Sequence, residues 1–419
     1  MPPFLVSLEL PHKKLTMNKS TFFTGQPIFS QLIKLIPRTI ISKAVQECKS
    51  DYYYKKFDTG HHLVTMLYAC YQHCTSLREV VSGMGACEGR LQSVGITHLP
   101  ARSTLSEANM HRSYQVFEQI YLSLYQYHRQ LLPDSQSDKL SKKLIIIDST
   151  TISLFREILK SAGSRGLNGK KKGGIKVHTA IRAHEDVPYL VRFSAGASAD
   201  VNFLKDIHLP KGSIVVMDRG YNSYNKLHEW NLSKINWVTR LRTDSIVNIL
   251  KERVVTGEQK RLGIISDQDI ILGFKNKKIQ QVRCRLVRYY DTANKRQFTF
   301  LANNLNWTPF KIADIYKRRW QIELLFKRLK QNMPLHYFLG DNENAIKIQI
   351  YCALIADLLL KVATRGIKRR WSFSNLASIV RLHLMNYTHL INFLEHPDKC
   401  KVVNPVPANH PQLKLNFSG

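Results

Sequence analysis

The chain has 419 residues, 44% of them hydrophobic, and sets 62 Lys and Arg against 31 Asp and Glu for a formal net charge of +31. That excess exceeds what solubility needs and implies a polyanionic partner. Packaging proteins that share such a charge are usually short, whereas this length and apolar content can bury two or three cores, which excludes a simple basic coat or tail.

Met17 opens a more conventional beginning, Met-Asn-Lys-Ser, so residues 1–16 are read as an upstream extension with no structural role. From about residue 26 to 132 the pattern is helical. Leu32, Ile33, Leu35 and Ile36, then Leu63, Leu67, Tyr68 and Tyr71, recur at three- and four-residue intervals, and no strand alternation competes. Ser76 followed by Glu79 has the form of a capping box, and Ser103 stands where it could cap a second short helix carrying Asn109, His111 and Arg112. This pair of helices admits two readings, a helix-turn-helix DNA reader or an ordinary helical hairpin with solvated polar faces.

Residues 133–143 are polar and turn-rich and predict a domain boundary. Beyond it, Leu144 to Asp148 is an apolar run of strand length closed by an acid. Gly174 to Ala183, Val187 to Ala195, Ile214 to Asp218 and Trp237 to Leu241 read as further strands, with a short helix at Asn225 to Trp230. Three strands close in sequence, then strands alternating with helices, describe an α/β sheet of the ribonuclease H type better than a doubly wound nucleotide fold. From about 243 to 308 strands without helices predict an inserted β-rich subdomain. There Val282, Cys284 and Leu286 alternate with Arg283 and Arg285, and a turn falls at Asp291 to Asn294. Pro309 opens a long helix through about Lys330, a second covers Asn344 to Arg365, and the remainder reads as a Pro-rich, unstructured tail. The expected division is a helical DNA-binding domain over 17–140, a core in two parts over 141–242 and 309–365, the β-rich insertion over 243–308, and a tail over 366–419.

Asp148 closes Leu-Ile-Ile-Ile and Asp218 closes Ile-Val-Val-Met, so each acid is expected at a strand tip open to solvent or substrate. An Asp so placed is otherwise commonly a turn former or a helix cap. At about 100° per residue, Tyr316, Arg319, Glu323 and Lys330 fall within roughly 60° of one another and project from one stripe. Ile315, Ile322, Phe326 and Leu329 form the neighbouring apolar stripe that would pack the helix on the sheet. A Glu among so many Lys and Arg is ordinarily an ion-paired surface residue, and the specific four-residue spacing is what argues for more. Three carboxylates that converge suit Mg²⁺, which prefers hard oxygen ligands.

At these motifs the sequence resembles the insertion-sequence-4 family of bacterial transposases, a DDE group with a ribonuclease H-like core. The resemblance covers about residues 140–365 and rests on Tyr316, Arg319, Glu323 and Lys330, an Asp closing the first strand, and Asp218-Arg-Gly-Tyr221. With lower specificity, Phe29 to Leu32 and Arg102-Ser-Thr-Leu-Ser look like the helical leader of some members. The resemblance implies a catalytic triad of Asp148, Asp218 and Glu323 holding two Mg²⁺ or Mn²⁺ ions, which cuts element ends and transfers the 3′-hydroxyl strand to target DNA. It implies DNA contacts by Tyr316, Arg319, Lys330 and Arg219, and it makes Trp320 either a holder of an unstacked base or a packed helix residue. It further implies double-stranded DNA with terminal inverted repeats and target DNA as partners, and a homodimer in the DNA complex. The alternatives are a related nuclease without strand transfer and a catalytically silent DNA-binding descendant. Relatives that resolve flanking DNA through a hairpin use a tryptophan of the insertion, and here the candidates are Trp237 and Trp307 at its margins.

Gly163 to Lys171 lacks the spacing of a nucleotide-binding loop and is read as a basic, DNA-facing loop. Cys70, His73 and Cys74 have no second ligand pair and read as half-buried helix residues. Lys176 and His178 resemble a Lys-x-His element of the family, although a buried, hydrogen-bonded His is the commoner explanation. Seven scattered cysteines, the lack of a secretory signal, and an apolar stretch, Ile350 to Val362, interrupted by Asp357 and Lys361 point to a cytoplasmic protein without membrane partners, and the resemblance implies a bacterial, nucleoid-associated one.

Overall fold

The computed structural model describes residues 25–87, 89–132, 140–153, 174–273, 280–333, 335 and 337–398. The extension over 1–16, the loop Gly163 to Lys171 and the end of the tail lie outside the described residues. The N-terminal third holds α1 (Ile28–Ile33), α2 (Arg38–Cys48), α3 (Thr59–Gln72), α4 (Leu77–Gly85), α5 (Arg102–His111) and α6 (Gln115–His128). Ser76 caps α4 by accepting from the Glu79 N–H, but the Glu79 carboxylate accepts from Thr75, one residue before the expected partner. Ser103 is not a cap: α5 starts at Arg102 after Ala101.

Asn109 and Arg112 are buried. Asn109 bonds the His62 ring at 2.7 Å and the Leu339 carbonyl at 3.1 Å, while Arg112 donates to the Phe57 carbonyl at 2.6 Å. Neither side chain can reach a base, whereas His111 of the same helix is exposed, 3.2 Å from Glu107. Desolvating an Arg is costly, and here the Asp58 and Phe57 carbonyls take one donor on each Nη while Asp51 offsets the charge; Nε finds no partner among the described residues.

One nine-stranded sheet follows, made of β1 (Leu144–Ser153), β2 (Gly174–Arg182), β3 (Pro188–Ala195), β4 (Ile214–Met217), β5 (Asn236–Arg240), β6 (Val247–Glu252), β7 (Ile264–Leu272), β8 (Val282–Asp291) and β9 (Arg296–Ala302). Its order is β3-β2-β1-β4-β5-β9-β8-β7-β6. The β1–β4 and β4–β5 pairs are parallel and all others antiparallel. The strands expected to form a separate insertion therefore continue the core sheet, because β9 hydrogen-bonds the open edge of β5 through Val238 and Ala302. They are not helix-free either. Between β6 and β7 lies the short helix Gly257–Arg261, capped by reciprocal bonds between Thr256 and Gln259.

Alternation along the strands divides two apolar layers. Leu144, Ile146 and Val216 face the layer that also holds Ile315, Ile322, Leu325 and Phe326, whereas Ile145, Ile147, Val215 and Met217 face Leu227 and Trp230 of the helix Tyr224–Leu232. The first layer runs from Ile28 to Leu394, so the N-terminal helices and the sheet share a core across the polar stretch 133–143. At its centre lies the helix Glu343–Ala363, buried along nearly its whole length. No helix among the described residues is long and apolar enough to cross a membrane.

The long helix expected from Pro309 is two, Pro309–Arg318 and Trp320–Asn332, joined at Arg319 by short-range bonds from Arg319 to Tyr316 and from Ile322 to Arg319. The expected tail also differs. Helices Phe373–Leu382 and Leu390–Glu395 fold back on the core, where Gln31 clasps the Thr388 carbonyl at 2.7 Å and the Leu390 N–H at 3.0 Å. Their apolar positions, Leu376, Val380, Leu390 and Leu394, supply the buried stripe that the prolines further along the sequence obscured.

Candidate active site

The parallel ladder between β1 and β4 ends at Ile147 and Met217. Asp148 and Asp218 are the next residues of the two strands, and alternation turns both toward the layer that holds the Glu323 helix. Asp148 is not at a strand end: β1 runs on to Ser153, paired with β2 alone. The opening lies instead on its β4 side, because β4 stops and Asp218 leads into a 3₁₀ turn, Arg219–Tyr221.

Arg319 Nη1 donates to Asp148 Oδ2 at 2.5 Å, and Arg319 Nη2 donates to Glu323. Two bonds across one planar fork bring these carboxylates within about 8 Å of each other. Asp218 is held separately, by Arg240 Nη2 at 2.5 Å and the Tyr316 hydroxyl at 3.3 Å. The Tyr316 ring lies between Arg240 and Arg319, each guanidinium 5.6 Å from its centroid. Lys330 reaches the Thr151 carbonyl at 3.3 Å. All four residues of the helical stripe thus face the end of the β1–β4 ladder. An open cleft of about 470 Å³ is lined there by Asp148, Ser149, Glu323, Phe326, Lys327 and Lys330.

Burial pushes the Asp148 carboxyl up to about 6; Arg319 and the Ser149 N–H oppose it, and the charges of Asp218 and Glu323 add to it. Burial acts on Asp218 in the same sense but is outweighed by Arg240 and Arg319, which hold it below the usual carboxylate range. The two acids are therefore electrostatically unlike, the arrangement expected where like charges share a site. Among the described residues, no three His, Cys, Asp or Glu side chains gather tightly enough to hold a metal as they stand. The guanidinium of Arg319 stands between Asp148 and Glu323, and the donors it bridges are the hard oxygens a divalent ion selects.

Arg219 is exposed beside Asp218, and Trp320 is 57% exposed, its ring turned to solvent and not packed on the sheet. Trp237 is fully buried with its N–H on Asn231, and Trp307 is half-buried beneath the Lys311 ammonium. Buried in the core, Trp237 cannot meet a base. His73, at the left-handed end of α3, bonds the Asn332 carbonyl at 2.8 Å and so ties α3 to the Glu323 helix.

Sequence reasoning missed Arg240 and a polar cluster behind Asp148. Asp200 accepts from Lys176 at 2.9 Å and from Ser149 at 3.3 Å, while His178 bridges the Tyr221 hydroxyl at 3.1 Å and Ser194 at 2.8 Å. A Cβ on Gly220 would stand 2.9 Å from Asp200 Oδ2, so a larger residue in the turn after Asp218 would have to displace that carboxylate. Lys176-x-His178 was the visible trace of this cluster; Arg240 reads simply as the last residue of a strand.

Residues 139–359 match the family model for the transposase DDE domain. The chain belongs to the DDE transposase family. Residues 24–97 match a domain of unknown function (DUF4372). Among DDE transposase relatives, the y4zB protein of Sinorhizobium fredii, named for a transposase, is 27% identical over 314 residues, covering 74% of this chain and 82% of that protein. The corresponding protein of insertion sequence element IS4SA of Synechocystis sp. is 28% identical over 62% of this chain and 71% of its own length. The transposase for insertion sequence element IS231E of Bacillus thuringiensis is 23% identical over 55% of this chain and 58% of its own. A cryo-EM structure of the piggyBac transposase synaptic complex with hairpin DNA superposes at a TM-score of 0.41 with 11% identity, over 94% of this chain and 86% of that one.

Proposed function

We propose that this DDE transposase cuts DNA at insertion-sequence ends and transfers the freed 3′-hydroxyl strand to target DNA, with Asp148, Asp218 and Glu323 as its catalytic acids. The observation that carries this reading is the register of β1 against β4, which places Asp148 beside Asp218 while Arg319 draws Glu323 to the same point. A ribonuclease H-type core is supported by the order β3-β2-β1-β4-β5, with three antiparallel strands followed by two parallel ones. The strands over 243–308 are then an insertion that lengthens this sheet.

The three acids would hold the metal. Two Mg²⁺ or Mn²⁺ ions, when bound, would supply the positive charge that activates an attacking hydroxyl and stabilises the leaving oxygen. This chain's own part is to present hard oxygen donors in a cleft open on the β4 side, and to neutralise them with Arg319 and Arg240 until that charge arrives. Both guanidiniums can then turn to DNA phosphates, for which the bidentate fork is suited. Tyr316 and Lys330 flank the same cleft, Arg219 extends from its rim, and exposed Trp320 offers a face to an unpaired base. The helical residues 17–140 are assigned to end binding. The partners are duplex DNA with terminal inverted repeats, target DNA, and a second copy of the chain bridging two ends, in a bacterial cytoplasm at the nucleoid.

The test incubates purified protein with Mg²⁺, a duplex bearing the element's inverted repeat, and a second target duplex. Asp148→Asn, Asp218→Asn and Glu323→Gln are each expected to lose about a thousandfold or more in cutting while still binding the end. Wild-type cutting by any of the three would remove that acid from the site. Cutting without joining would make the protein a nuclease, and binding without cutting a silent descendant.

A further inference from the structure

Between α2 and α3 the chain runs Lys49-Ser-Asp-Tyr-Tyr-Tyr-Lys-Lys56. Tyr52 is 78% and Tyr53 87% exposed, and their rings meet edge to face, 4.8 Å between centroids. Lys49, Lys55 and Lys56 are exposed beside them, and none is joined by an ion pair to a described residue.

The segment is firmly seated from below. Asp51 Oδ1 accepts from the Thr59 N–H at 2.8 Å and its hydroxyl at 2.7 Å, and lies 3.4 Å from Arg112 Nη2. Ser50 bonds the same hydroxyl at 2.8 Å. Arg112, already anchored on the Phe57 carbonyl, lies 4.0 Å over the Tyr54 ring. Of three consecutive tyrosines, Tyr54 is thus the inward one, and Tyr52 and Tyr53 face out. Lone exposed apolar residues are ordinary, but two adjoining aromatic rings on a fixed base, with three exposed lysines close in sequence that pair with no described acid, form a surface with a definite chemistry. Aromatic faces stack on bases and ammonium groups hold phosphates, which together suit nucleic acid. An apolar protein surface would leave three lysines uncompensated.

We propose that Tyr52 and Tyr53, with Lys49, Lys55 and Lys56, form a DNA-binding platform separate from the acidic cleft, on which the lysines grip the backbone and the tyrosine pair stacks on an unpaired or splayed base. The proposal rests on the transposase reading for its choice of DNA. It also gives Arg112 its role, as the buried support of the platform.

The experiment measures fluorescence anisotropy of the full chain, in EDTA so that no probe is cut, with intact duplex, single-stranded and bulged DNA over a series of salt concentrations. Tyr52→Ala/Tyr53→Ala should weaken binding to the single-stranded and bulged probes by about 10- to 100-fold and to intact duplex by no more than about threefold, because stacking needs an open base. Tyr52→Phe/Tyr53→Phe should restore it, since a ring face and not a hydroxyl is required. Lys55→Gln/Lys56→Gln should weaken all probes alike and lower the slope of log affinity against log salt by about 1–2. Unchanged melting of the tyrosine variants shows that the fold is intact. Wild-type binding by the alanine pair, or an equal loss on every probe, overturns the platform alone. A wild-type chain that binds none of the probes would instead overturn the transposase reading on which it rests.

Discussion

Arg319 and Asp148, 171 residues apart in sequence, meet at 2.5 Å, and the other arm of the same guanidinium reaches Glu323. A cation supplied by the protein therefore occupies the position between two of the acids proposed to hold metal. Metal and guanidinium compete for the same oxygens, because the lone pairs that accept from Arg319 are those a cation would take, and Asp148 is buried enough to need a positive neighbour. Arg319→Ala should tighten Mn²⁺ binding to the DNA-free protein by about tenfold or more, the worth of one charge-assisted bond, while strand cutting falls. Titration calorimetry reads the affinity; an unchanged or weaker value would mean that Arg319 does not compete.

Gly220 and Asp200 set a second expectation. A methyl group at Gly220 would press on the carboxylate that accepts from Lys176 and Ser149, directly behind Asp148. Gly220→Ala should lower cutting by about tenfold, roughly 1.4 kcal/mol of barrier, with little change in melting temperature and none in DNA affinity. Parallel losses of melting temperature and cutting would show a general destabilisation and count against a positioning role.

Arg328 concerns the seat of the Glu323 helix. It donates to Asp357, which is 1% exposed, at 2.9 Å and to Asp186 at 2.6 Å, joining the Glu323 helix to the central helix and the β2–β3 turn. Arg328→Met strands buried negative charge and should cost about 3–5 kcal/mol. Arg328→Met/Asp357→Leu removes both charges and should recover a good part of it. Denaturant melts of the two variants decide, and a double variant no more stable than the single one would contradict this account.

His62 gives the N-terminal helices a pH dependence. Burial, followed by the nearby Arg112 charge, lowers its pKa to about 3 against the Asn109 hydrogen bond, which favours protonation. The unfolded chain takes up a proton near pH 6.5 and the folded chain does not, so this contribution is complete above 6.5 and is lost as pH falls toward 3. At pH 5 the loss should be about 2 kcal/mol. Thermal melts of wild type and His62→Gln between pH 8 and 5 should show a smaller acid decline in the variant; equal declines would refute the assignment.

Much of the candidate site was visible in sequence because its determinants are local. A strand-length apolar run that stops at an acid needs only adjacent residues to be recognised, as at Leu144 to Asp148 and Ile214 to Asp218. The stripe Tyr316, Arg319, Glu323 and Lys330 needs only the period of a helix. Arg240 was invisible because its meaning depends on a neighbour 22 residues away in sequence, Asp218. The helices at Phe373–Leu382 and Leu390–Glu395 were masked by nearby prolines; both are seated by burial in the main core, and the second also by the bonds of Gln31 near the other end of the chain.

The sequence by itself determined the basic character of the chain, the helical start, the acids that close two apolar runs and the helical signature, since charge, period and apolar run length are properties of neighbouring residues. The tertiary structure alone decided that Ile147 pairs with Met217 and so sets Asp148 beside Asp218, that β9 joins β5 to make one sheet, and that Arg112 is buried over the Tyr54 ring. Hydrogen-bond register and burial arise between segments distant along the chain, and their energies exist only once those segments have met.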